Sequence, residues 1–194
     1  MAAGRRMNAL RLPAGLVLAA LSGPCMAHGF SGAGWVHPLT GLDHMLAMVA
    51  VGLWSAQLGG RAIGRVPVAF MLAMTVGSAF GLRRWPIEGV EVMVPASVLI
   101  VGAAMAVRAR LAWPAAAAAA LLFGLAHGYV HGLEAPASEG LAYSAGLLLT
   151  TAGLHIAGAA AGQLLLEKPE GQRWLRTSGA FIAAACGVLL RGVL

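Results

Sequence analysis

The chain alternates long apolar runs with short polar connections. Six runs are candidate helices, at 38–58, 66–82, 89–107, 113–130, 140–164 and 174–190. Runs of this length satisfy their own backbone hydrogen bonds only as helices, the form a lipid interior demands. The second run is short and the fifth long, so tilt is expected. The connections are tight, no repeat relates the two halves, and nothing marks a second domain. The pattern predicts an all-α, polytopic membrane bundle.

Residues 1–27 carry a different pattern. Arg5, Arg6 and Arg11 form a basic start, 12–21 is a short apolar core, and Cys25-Met26-Ala27 is a small-x-small cleavage site. This predicts a secretory signal peptide. The mature domain is then 28–194, beginning at His28, with six transmembrane helices. An uncleaved anchor would add a helix, but the apolar core is short for a span.

Composition supports the membrane reading. Of 194 residues, 59% are hydrophobic and only 10% charged; soluble domains carry about 25% charged residues. The net charge of +6 does not indicate nucleic acid, because the arginines sit in loops between apolar runs instead of forming one patch. They read as topology determinants. With the mature N-terminus outside, the inner side holds Arg61, Arg65, Arg108, Arg110, Lys168, Arg173 and Arg176. The outer side holds Arg83, Arg84 and Arg191. That bias predicts an N-out, C-out arrangement, which a signal peptide also requires.

Aromatic residues mark the same boundaries. Trp35, Trp85, Tyr129 and Tyr143 fall at outer edges, and Trp54, Trp113 and Trp174 at inner ones, as in an interfacial belt. Small residues recur every four positions at Ala73/Gly77/Gly81, Gly146/Thr150, Gly158/Gly162 and Gly179/Ala183/Gly187, spacing that lets helices approach closely. Neither cysteine belongs to a Cys-x-x-Cys pair, which removes thiolate zinc and redox motifs. Cys186 reads as packing.

The chemistry lies in the histidines. His37 and His44 are seven positions apart and His127 and His131 four apart, so each pair shares a helix face. Counting 1.5 Å per residue from the tryptophan boundaries puts His44 and His127 in one layer and His37 and His131 in another, both in the outer half. Pro38 is suited to a helix start, which leaves His37 in the preceding turn. Asp43 stands beside His44, as a direct ligand or as the partner that orients its ring. Costly polar groups at matching depth need a common reason. Imidazoles with a carboxylate and no thiolate suit Ni²⁺, Co²⁺, Zn²⁺ or Cu²⁺.

The remaining polar residues have plainer readings. His155 reads first as a helix–helix hydrogen bond, then as a deeper relay ligand. His28 is a terminus that could offer an amine and an imidazole. Glu134 and Glu139 read as loop charges, and Glu88 as an offset to Arg83 and Arg84. Glu91, opening a run near the metal layer, is the better functional candidate. No His-Glu-x-x-His occurs, so an intramembrane metalloenzyme is not expected, and no nucleotide-binding motif suggests ATP drive.

The run His37-Pro38-x-x-Gly41-x-Asp43-His44, followed by Met48, Val51-Gly52 and Trp54, resembles the signature of the HupE/UreJ family. His127-Gly128-x-x-His131-Gly132 and His28-Gly29 also resemble that family, and the likeness covers essentially the whole mature chain. The resemblance implies a six-span inner-membrane permease that imports nickel, with cobalt as the alternative ion, for urease or hydrogenase maturation. It implies no prosthetic group: the metal is cargo. The residues themselves give His37, Asp43, His44, His127 and His131 as the expected ligands, with His28, Glu91 and His155 secondary. The expected partners are the divalent ion, the bilayer, and metallochaperones or maturation proteins. The competing expectation is a non-transporting accessory that hands nickel to a maturation complex. The broader nickel–cobalt permeases have four residues between His and Asp-His; here there are five.

Overall fold

A computed structural model describes Gly34 and residues 41–190, apart from the side chains of Leu42, Asp43 and Leu189. The signal-peptide region, His28, His37, Trp35 and Arg191 lie outside the described residues, as does the Asp43 side chain. The described residues form six helices and no strand: α1 Leu42–Leu58, α2 Ala62–Leu82, α3 Val90–Ala106, α4 Trp113–Glu134, α5 Gly140–Leu166 and α6 Gly171–Leu190.

Each helix falls on one predicted run, with shifted ends. α1 begins later than expected, because Gly41 is an extended N-cap with φ −84° and ψ 108°. His37 therefore precedes the described helix. α4 runs past 130 to Glu134, which carries His131 and Glu134 on its last turns. Among the described residues, α2, α4 and α5 are long and apolar enough to cross a membrane. At 1.5 Å per residue they span about 32, 33 and 40 Å, against a hydrocarbon core of about 30 Å. The chain is a membrane protein. α1 and α3, at 17 residues each, reach about 26 Å.

The helices pack chiefly as three pairs, α2 with α4, α3 with α6 and α1 with α5. Glycines explain the closeness. A Cβ on Gly124, Gly128 or Gly132 of α4 would lie inside 3.0 Å of the carbonyl oxygens of Phe70, Met74 and Ser78 on α2. The partners rise together, so α2 and α4 are parallel. Gly77 and Gly81 of α2 return the contact against Leu125 and Tyr129. α1 and α5 are also parallel: Gly158 meets Val49 and Gly162 meets Ala56. α3 and α6 run oppositely, with Gly102 against Gly179 and Ala183, and Gly179 against Met105. Lipid supplies no hydrophobic drive between helices, so such close approach is what holds them.

The small-residue faces at Gly77/Gly81, Gly158/Gly162 and Gly179/Ala183 thus do what their spacing predicts. Gly187 has no neighbour within 4 Å. The belt reading needs correction. Trp85 and Trp174 are exposed, but Trp54, Tyr129 and Tyr143 are buried. Trp54 packs in the bundle core, and the Tyr129 hydroxyl donates to the Trp85 carbonyl and accepts from the Ile87 amide at 3.1 Å. Tyr129 therefore staples the α2–α3 connection to α4. At the opposite end, the Arg65 guanidinium lies 4.1 Å from the Trp113 ring centre. Arg176 Nε donates to the Ala106 carbonyl at 2.9 Å. Cys186 is fully buried packing, as expected.

Candidate metal centre

The glycine row on α4 fixes where its histidines go. Gly124, Gly128 and Gly132 face α2 at four-residue spacing. His127 and His131 each precede one of those glycines, about 100° round the helix. They therefore turn into the bundle where α1 also arrives, and both are fully buried. His44, in the first turns of α1, is 4% exposed. Its ring centre lies 4.3 Å from that of His131 and 5.7 Å from that of His127. One ring nitrogen from each of the three falls within 4.8 Å of the others.

That spacing fits one ion. Three nitrogens bound at about 2.1 Å to a shared metal lie at most about 4.2 Å apart. Ring movements of well under an ångström close the difference. The donor set is nitrogen only, which suits late first-row divalent ions.

A hydrogen bond orients the His127 ring, and a carboxylate stands beside that of His131. Ser97 on α3 is buried, and its Oγ donates to the Val94 carbonyl at 2.7 Å. The same oxygen lies 2.9 Å from His127 Nε2. A hydroxyl has one hydrogen, so here it accepts from Nε2–H. Nδ1 is then the nitrogen with the lone pair for a metal. Glu134 Oε2 lies 3.4 Å from His131 Nδ1, one helical turn along. That contact sets a carboxylate beside the His131 ring at ion-pair distance.

Both neighbours, Ser97 and Glu134, escape sequence reading, for different reasons. Glu134 is not the loop charge expected; α4 simply continues far enough to bring it under His131, and the His-x-x-Glu spacing is the signal that finds it. Ser97 has no sequence signal, since its partner is on another helix. Replacing Ser97 with Ala removes the acceptor for a buried N–H. Metal affinity is expected to fall about 10–100-fold, with the protein still folded, as titration of the purified protein with Ni²⁺ reads directly.

The other candidates are dispersed. Glu91 is exposed in the first turn of α3, and Glu88 and Glu139 are exposed in connections. His155 on α5 is 2% exposed. Neither of its nitrogens has a hydrogen-bond partner among the described residues, so the helix–helix hydrogen bond first read for it is not made. Its ring instead meets Phe70 edge-on, with centres 5.2 Å apart.

A membrane bundle with a buried cluster of imidazoles is the class that fold and site define. The chain belongs to the HupE/UreJ family: the family model described as "HupE / UreJ protein" matches residues 11–190. A curated relative, Protein HupE of Rhizobium leguminosarum bv. viciae, is 39% identical over 183 residues, covering 90% of this chain and 95% of that protein. No solved structure matches.

Proposed function

We propose that the protein is a secondary permease of the bacterial inner membrane. It takes up a divalent transition-metal ion, nickel with cobalt as the alternative, to supply a metalloenzyme. The observation that carries this is the convergence of His44, His127 and His131, three buried imidazoles with nitrogens within 4.8 Å of one another. The family is associated with nickel and cobalt uptake for hydrogenase and urease, which favours these ions among those that imidazoles bind.

In this reading the mature N-terminus and the three-histidine site face outward. His37, which precedes α1 in sequence, and Asp43, in its first turn, are the remaining ligands in this reading. A dication in a low-dielectric bundle needs negative charge nearby; Asp43 supplies it, assisted by Glu134. His28 and the exposed Glu91 belong to the approach to the site, where they raise the local cation concentration.

Protons compete with the metal for the same lone pairs. Ordinary imidazole titrates near pH 6.5. Binding therefore weakens as the pH falls, by up to about tenfold per pH unit for each proton the metal must displace. Ni²⁺ titrations at several pH values measure the slope. The reading itself is tested by Ni²⁺ flux into proteoliposomes containing the purified protein. Saturable uptake supports a permease. Tight binding without flux replaces it with a metal-binding accessory that hands nickel to a maturation complex.

A further inference from the structure

Phe70 on α2 is 1% exposed and stands between two sets of histidines. Its ring centre is 5.4 Å from that of His127 and 5.2 Å from that of His155. One aromatic ring therefore meets both a member of the three-histidine cluster and His155.

The order along the bundle is set by the paired helices. A Cβ on Gly52 of α1 would collide with the backbone of His155. Gly52 is eight residues beyond His44, about 12 Å further along α1. Phe70 lies opposite Gly124, which is three residues before His127, or about 4.5 Å toward the same end. The sequence of levels is the three-histidine cluster, then Phe70, then His155.

His155 is costly where it stands. It is 2% exposed, and neither nitrogen has a hydrogen-bond partner among the described residues. Thr151, one turn earlier on the same face of α5, is fully buried, and its hydroxyl has no partner there either. Buried polar groups are almost always paired, and in a membrane bundle an ionisable one marks a pathway for polar cargo. His155 also borders an apolar groove of about 590 Å³ between α2 and α5, open to the outside of the bundle at Val68, Leu72 and Ile156, that reaches Ile63, Gly64 and Gln163. Those residues lie toward the end of the bundle that carries Arg61 and Arg65.

Resting on the permease reading above, we infer that His155 and Thr151 form a second, inner way-station for a partly hydrated divalent transition-metal ion, and that Phe70 is the gate between it and the three-histidine site. His155 supplies one nitrogen, Thr151 an oxygen, and water the rest of the shell. An ion leaving the outer site must displace the Phe70 ring to reach them. The ring packs against one histidine of each site.

The test uses the full-length protein, with Ni²⁺ affinity measured in detergent and initial Ni²⁺ flux measured in proteoliposomes. His155→Ala is expected to keep the affinity of the outer site within about threefold of wild type and to lower flux at least tenfold. Phe70→Ala is expected to keep that affinity and raise flux down an imposed nickel gradient severalfold. Phe70→Leu retains most of the side-chain volume, so the same direction of change in this variant separates gating from misfolding. Wild-type flux in both His155→Ala and Phe70→Ala overturns the inference, as does a loss of flux that tracks a loss of outer-site affinity. If the wild-type protein itself passes no Ni²⁺, the permease reading is what fails.

Discussion

Gly128→Ala is expected to leave almost no correctly assembled protein. The new Cβ would lie inside 3.0 Å of Met74 backbone atoms, its carbonyl oxygen nearest. Backbone cannot swing aside as the end of a side chain can, so α2 and α4 must separate along their length. Overpacking in a core that can adjust costs about 1–3 kcal/mol; here relief requires moving a helix, and the cost is expected at or above the top of that range. The neighbouring contacts at Gly124 and Gly132 are lost with it, and so is the placement of His127 and His131. Thermal unfolding and size-exclusion of the detergent-purified protein check this. Gly153→Ala is the matched control. It lies within α5 with nothing within 4 Å, and Ala is favoured over Gly inside a helix by about 0.5–1 kcal/mol. It should be at least as stable as the starting protein.

The second large effect concerns binding alone. His44→Ala is expected to lower Ni²⁺ affinity more than about 100-fold, beyond the range typical for losing a residue that only orients a ligand. Uptake should disappear with it. His44 is the imidazole that α1 brings to the cluster, and its ring sits against both His127 and His131. Without it, the remaining two imidazoles come from a single helix at four-residue spacing. The fold should survive. α1 is held to α5 further along, through Gly52, Gly158 and Gly162, and buried polar groups in a bilayer cost stability unless something compensates them. A folded, membrane-inserted variant that fails to bind separates ligation from packing, and unchanged nickel accumulation would defeat the assignment.

Much of the architecture was legible because lipid imposes one rule on every segment. Six apolar runs foretold six helices, and four-residue spacing of small residues foretold the contacts at Gly77/Gly81, Gly158/Gly162 and Gly179/Ala183. The helix ends were less readable. Gly41 caps α1 later than Pro38 suggested, and α4 persists to Glu134 because Gly132 keeps its last turns packed on α2. The Gly124/Gly128/Gly132 row was hidden in plain view, since two of its members flank histidines that drew attention as ligands. Tryptophan and tyrosine misled at Trp54, Tyr129 and Tyr143, because an aromatic near a helix end serves a core as readily as an interface.

The site divides along similar lines. Counting residues from the ends of two distant helices placed His44 and His127 at one depth, and they do meet. His131 was assigned a layer higher, with His37, yet its ring is the nearer of the two to His44. Depth along an axis ignores the direction in which a side chain leans. Ser97 and Phe70 were unreadable in principle: each matters through a neighbour on another helix, and no spacing within one helix encodes that.

The measurement that bears most directly on the central claim is nickel X-ray absorption on the metal-loaded, full-length protein, compared with the His44→Ala, His127→Ala and His131→Ala variants. The wild type should show imidazole nitrogens at about 2.0–2.1 Å, the usual metal–imidazole distance, with outer-shell scattering from at least three rings, and each variant should lose part of that signal. A nickel shell made only of oxygen, or a spectrum unchanged across all three variants, would contradict the assignment of His44, His127 and His131 as the metal's ligands.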